Sequence, residues 1–120
     1  SAHERNLAWV EIYKEYSSKE ICWDGVEEGF VFAWQKQLHL FEVPFYYIEY
    51  AIAQLGAIAL WRKYRVNKEG TIAQFKNALQ LGYSKTVPEI YATAGIEFNL
   101  SPAYLKGIID FAKEELDKLK

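Results

Sequence analysis

Cysteine is nearly missing from this chain of 120 residues, and histidine almost as scarce. A single thiol, Cys22, can close no internal disulfide, so the sequence points to a reducing, cytoplasmic setting. Basic residues are not in excess: 14 Lys and Arg stand against 16 Asp and Glu, with no basic stripe, which argues against nucleic acid as a partner. No charged segment followed by an apolar run and a small-residue cleavage site opens the chain, so no secretory signal is expected. Gly/Ser linkers, internal repeats and the apolar/polar alternation of strands are absent too. The 18 residues from Pro44 to Trp61 approach a membrane-spanning length, but Glu49, Gln54 and the tyrosines within them favour a buried helix over a span.

Apolar residues make up 51% of the chain and aromatics 17%, enough for a packed core and more aromatic surface than a small helical core needs. Helical periodicity and capping signals recur along the sequence, which predicts an all-α fold of about six helices in one domain or a fragment of one. The first covers about residues 4–17, with Ala8, Ile12 and Tyr16 on one face and Trp9 and Tyr13 beside them. Asp24 with Glu27 three residues on has the form of a capping box, opening a helix through Phe30, Trp34 and Leu38. Pro44 suits the first turn of a third, central helix running to about Tyr64. A fourth occupies about 68–80, capped by Asn67 and stopped before Gly82. Thr86-Val87-Pro88-Glu89 opens a short helix closed by Gly95. Ser101-Pro102 opens the last, whose Tyr104, Ile108 and Phe111 form an apolar stripe extended by Leu116.

Zinc chemistry of the peptidase type needs two histidines on adjacent turns of one helix with a glutamate between them. His3-Glu4-Arg5-Asn6-Leu7 begins that way but has Leu7 where the second histidine belongs, and His39 is remote, so no metal site is expected in this chain. Cys22 has no basic neighbour in sequence and reads as a buried or idle thiol. Glu27-Glu28 reads as a helix-start pair and Glu114-Glu115 as a solvated face.

The segment from Trp34 to Trp61 carries the densest chemistry. On a helix begun at Pro44, Tyr46 and Tyr50 are i, i+4 and Tyr47 and Tyr50 are i, i+3, so the three phenols gather, with His39 just before them. Such a group can offer O–H donors and an imidazole to a carbonyl oxygen. The alternative is structural: phenols flanking the core with their hydroxyls in water, and His39 capping the preceding helix.

The strings Trp34-Gln35-Lys36-Gln37-Leu38-His39-Leu40-Phe41, Pro44-Phe45-Tyr46-Tyr47-Ile48-Glu49-Tyr50-Ala51 and Ala53-Gln54-Leu55-Gly56-Ala57 are specific. Thinner echoes follow at Ala78 to Gly82, Thr86 to Glu89 and Ala94 to Ile96. Over about residues 20–115 the chain resembles the C-terminal segment of the oligoendopeptidase F family, helical zinc peptidases related to thimet oligopeptidase. The resemblance implies a part of a larger helical metallopeptidase domain that hydrolyses short peptides, with zinc held by the complete enzyme and not by this chain. It implies His39 and Tyr50 as catalytic groups stabilising the oxyanion and Tyr46 and Tyr47 as substrate-binding groups, Tyr47 and Tyr50 best matching the family's tyrosine pair. Two departures stand out: the His-Glu-x-x-His motif is absent, and Gly29-Phe30-Val31-Phe32 is apolar for a helix beside an open cleft. Alone, such a chain is expected to be inactive and to pair as a homodimer through Phe41, Phe45, Ile48 and Ile52. The rival reading is a free-standing helical protein that binds peptides or self-associates without catalysis.

Overall fold

The computed structural model describes residues 1–120 and is all-α, with seven α-helices, a short 3₁₀ segment and no strand. The chain divides into two compact units, Ser1–Tyr47 and Ile48–Lys120.

In the first unit, α1 (Ala2–Tyr16) packs against α2 (Glu27–Val31). Ser1 and Glu4 form a capping box at the start of α1, each satisfying a backbone N–H of the other. The inward face of α1 is Asn6, Trp9, Val10 and Tyr13, not the expected Ala8, Ile12 and Tyr16, which are exposed. Two side-chain bonds fix that choice. The Trp9 indole donates to the carbonyl oxygen of Phe30 at 3.1 Å, and the Trp34 indole donates to Asn6 Oδ1 at 2.8 Å. Around Phe30, the one buried residue of this unit, Tyr13 sits edge-on at 5.2 Å and Trp23 stacks at 4.7 Å. Tyr13 also meets Trp23 edge-on at 5.9 Å, so the core here is an aromatic knot.

The single helix expected from Asp24 to Leu38 is interrupted: α2 ends at Val31 and a 3₁₀ turn covers Ala33–Lys36, after which a separate short helix, α3 (His39–Glu42), follows. The Trp9 indole occupies a carbonyl that a continuing helix would use for its own next turn, and Gln37 leaves helical geometry at φ −86°, ψ 81°. Asp24 is not the N-cap of α2. Val26 holds that place without a side-chain bond, while the Glu27 carboxylate binds the backbone N–H groups of Glu27 and Gly25 and is thereby lowered in pKa. Cys22 lies exposed in the preceding loop rather than buried.

Pro44 does not begin a helix. It is the second residue of a turn in which the Tyr46 N–H donates to the Val43 carbonyl at 3.2 Å and Phe45 has φ +65°. Proline followed by a positive φ is the pattern of a type II turn. Proline's fixed φ serves a helix start and this turn equally well, which is why the residue alone did not discriminate between them.

In the second unit, α4 (Ile48–Val66) packs against α5 (Lys68–Gln80) and α7 (Pro102–Asp117), and α5 packs against α6 (Val87–Thr93). The expected caps are all in place. Asn67 Oδ1 accepts from the Gly70 N–H at 3.0 Å, and a side chain on residue 70 would collide with that amide, so the glycine serves the cap. Glu89 accepts from the Thr86 N–H at 2.9 Å and the Thr86 hydroxyl at 2.7 Å. At the far end of α6, Gly95 (φ +71°) donates to Ala92 at 2.9 Å and Ile96 donates to Tyr91 at 3.0 Å, a full Schellman closure. The Lys63 ammonium adds bonds to the Ala94 and Gly95 carbonyls at 3.3 and 2.9 Å and to Gln74 Oε1, setting a positive charge where the α6 dipole ends. Ser101 caps α7 through Tyr104, with Pro102 in the first turn.

The buried positions of this unit are small: Gly56 and Ala59 of α4, Thr71 and Ala78 of α5, and Ala94, joined by Ile108 of α7 at 0% exposure. Trp61 closes on Phe111 edge-to-face at 5.0 Å. Leu116, expected to extend the α7 stripe, is exposed. Glu115, expected in water, is instead drawn against the protein, with its side chain 10% exposed and its carboxylate 3.4 Å from Arg65 Nε. No helix is long and apolar enough to cross a membrane.

Candidate functional site

His39, Tyr46 and Tyr47 come together at the end of the first unit. His39 opens α3, and the turn at Val43–Tyr46 folds the chain back so that both tyrosines meet the imidazole. The Tyr46 ring stacks on it with centroids 5.5 Å apart and planes 19° from parallel. Tyr47 meets it edge-on at 5.2 Å and 68°. The Tyr47 hydroxyl donates to Gln37 Oε1. That bond fixes the phenol's direction, a role for Gln37 that the sequence does not announce, because the pairing depends on the turn and not on any helical spacing.

Both phenols are accessible, with Tyr46 and Tyr47 at 40% and 43% exposure, while the imidazole between them is half-buried. An aromatic shelf of this kind can take a planar peptide group or an apolar side chain on its faces. It can also present hydroxyl and imidazole N–H groups to a carbonyl oxygen.

Tyr50 lies in the first turn of α4, in the second unit, and is half-exposed. Tyr46 and Tyr47 precede that helix, at the end of the first unit, so the three phenols do not all lie on one helix as expected. His39 begins the short α3 helix and does not cap the end of a longer one.

A metal needs convergent ligands. No group of three or more His, Cys, Asp or Glu side chains in the chain is placed to hold one, and His3, exposed on α1, is well apart in sequence from His39.

The second unit carries a different kind of surface. An apolar groove of about 260 Å³ lies among α4, α5 and α6, another of about 270 Å³ lies along α4 and α5, and the two share Ala57, Leu60 and Phe75 as their common wall. Compared with protein-family models, with characterised proteins and with solved structures, the chain gives no significant match.

Proposed function

We propose that the chain is a substrate-cleft segment of a helical zinc peptidase of the oligoendopeptidase F type, acting on short peptides within a longer enzyme. The observation that carries this reading is the His39–Tyr46–Tyr47 cluster, whose rings lie 5.2 to 5.5 Å apart and whose Tyr47 hydroxyl is oriented by Gln37. It adds geometry to a resemblance otherwise carried by the wording of residues 34 to 57. In this reading, His39 donates to a carbonyl oxygen of the substrate, Tyr47, whose proton is held by Gln37, offers its hydroxyl oxygen to a peptide N–H, and Tyr46 supports the peptide plane. Tyr50 takes its role as an oxyanion donor from the resemblance alone. The metal belongs to residues outside this chain, and no step here depends on it. What these side chains contribute is orientation of the peptide and donation toward developing negative charge, worth about 2.7–4 kcal/mol for one well-placed donor.

Two measurements test the reading. The 120-residue chain, titrated with a short peptide, should show shifts of the His39 imidazole and Tyr47 ring resonances. His39→Ala or Tyr47→Phe should weaken binding, and an unperturbed His39 throughout the titration would refute the cleft assignment. In the longer enzyme, Tyr50→Phe should lower kcat by about 10²-fold with little change in KM, because a donor used on the oxyanion acts mainly in the transition state. An unchanged kcat would return Tyr50 to a structural role.

A further inference from the structure

Helix α6 has only seven residues, too few to persist on its own backbone bonds, so its neighbours decide whether it stays in place. None of those residues is buried. It packs against α5, but toward α4 the apolar groove of about 260 Å³ lies where a packed seam would run. Ala53 and Ala57 of α4, Ile90 of α6 and Ala94 just beyond it are among the groove's walls.

Two polar ties reach across from α4. At one, the Tyr91 hydroxyl donates to the Ile52 carbonyl at 2.8 Å. At the other, the Lys63 ammonium donates to the Ala94 and Gly95 carbonyls at 3.3 and 2.9 Å, and to Gln74 Oε1 of α5. The last carbonyls of a helix have no backbone partner within it, so one ammonium both closes α6 and ties it to two neighbours. Being charge-assisted, it is the stronger tie of the two. The segment turns through glycine at both ends, Gly82 at φ +51° and Gly95 at φ +71°. Space around Gly82 is open, whereas the atoms nearest to a side chain on residue 95 would be those of Lys63 and Gln74. One end is thus a free pivot and the other a fastened catch.

We propose that the segment from Gly82 to Gly95 is a strap latched to α4 by Lys63. When the ammonium lets go, α6 parts from α4 and opens the apolar groove, while α4 and α7 keep their packing. The inference rests on the second unit alone and is independent of the peptidase reading.

Native-state hydrogen exchange of the 120-residue chain tests it. The Ala94 and Ile96 amides, which bond to the Ile90 and Tyr91 carbonyls, should exchange at least about 10-fold faster than amides near Ala59 in mid-α4. Their exchange should also respond less to urea, since a local opening exposes little surface. Lys63→Met, which keeps the stem and removes the donors, should speed these two amides about 10-fold more and leave mid-α4 unchanged. Lys63→Arg should stay near wild type. So should Lys85→Met, which removes only the exposed pair with Glu89, 3.8 Å apart, at the start of α6. In a Cys22→Ser background, Ala78→Cys places a thiol on the groove wall, and an uncharged thiol reagent should label it faster once Lys63→Met is added. Exchange at Ala94 and Ile96 that matches mid-α4 at every urea concentration overturns the proposal, and this wild-type series decides even if Lys63→Met fails to fold. So does a Lys63→Met variant that speeds both helices equally or neither, or one that leaves the labelling rate unchanged.

Discussion

The Tyr91 hydroxyl of α6 donates to the carbonyl oxygen of Ile52 in α4 at 2.8 Å, and the ring reaches that carbonyl only because residue 56 has no side chain. A Cβ on Gly56 would run into the phenol oxygen and its ring carbon. Burial, with Tyr104 nearby, pushes the Tyr91 phenol above its ordinary pKa, as a hydroxyl held in a helix interface should be. Gly56→Ala should therefore cost about 1–3 kcal/mol of stability through overpacking, and Tyr91→Phe about 0.5–1.5 kcal/mol through loss of the bond. Because the alanine already displaces the ring, the double variant should cost less than the sum in a denaturant-unfolding cycle.

Thr71 gives a prediction of the opposite sign. Its side chain is buried at 4% exposure and its hydroxyl oxygen has no hydrogen-bond partner. Thr71→Val keeps the shape and removes the unsatisfied group, so it should stabilise the second unit by about 1 kcal/mol. Chemical denaturation followed by the fluorescence of Trp61 reads this directly, and a loss of stability would mean that the hydroxyl is satisfied in solution.

Phe45 sits in left-handed backbone geometry while its side chain is 94% exposed. It bears the cost of that conformation, about 1–2 kcal/mol for an L residue, and buries almost nothing in return. Phe45→Gly should raise stability by about 0.5–1 kcal/mol after the added flexibility of the unfolded glycine is counted, whereas Phe45→Ala should bring no such gain. The urea midpoint of the two variants, compared at equal slope, separates these outcomes.

Acid should weaken the second unit through Glu89 and Glu115. Hydrogen bonds from the Thr86 backbone and hydroxyl hold the Glu89 carboxyl below its ordinary value of 4.5. The Lys118 ammonium, then the Arg65 guanidinium, do the same for Glu115. A carboxyl lowered in the folded state contributes its full stability above the unfolded value and loses it as pH falls through the lower folded one. Melting temperature should thus decline below about pH 4.5. The decline should be shallower in Glu89→Gln, which keeps an acceptor for Thr86 but has no proton to gain.

What the sequence disclosed was the chemistry of short range. Asn67, Thr86 with Glu89, Ser101 with Pro102, and the glycines at 82 and 95 act on backbone groups within a few residues, so the helices they bound were legible before any tertiary contact was known. The segment from 32 to 47 was not, because a distant indole decides it: Trp9 claims the Phe30 carbonyl, and Pro44 then turns the chain instead of starting a helix. The inward face of α1 is hidden from the sequence for a related reason. Both Ala8-Ile12-Tyr16 and Asn6-Trp9-Tyr13 satisfy helical spacing, and only the bonds made by the Trp9 and Trp34 indoles select the second. Of the candidate site, the membership of His39, Tyr46 and Tyr47 was visible, but their arrangement around a turn, with Gln37 holding a phenol, was not.

The aromatic knot around Phe30 has a kinetic corollary. A unit anchored on one buried side chain opens locally at little free-energy cost, whereas α4 and α7 share the better-enclosed positions at Ala59 and Ile108. Amide protons from Gln37 to Tyr47 should accordingly exchange with deuterium far sooner than those in the middle of α4. If a peptide docks on His39 and Tyr47 as proposed, it would have to still that segment, and slowed exchange at these amides would be the signature of occupancy.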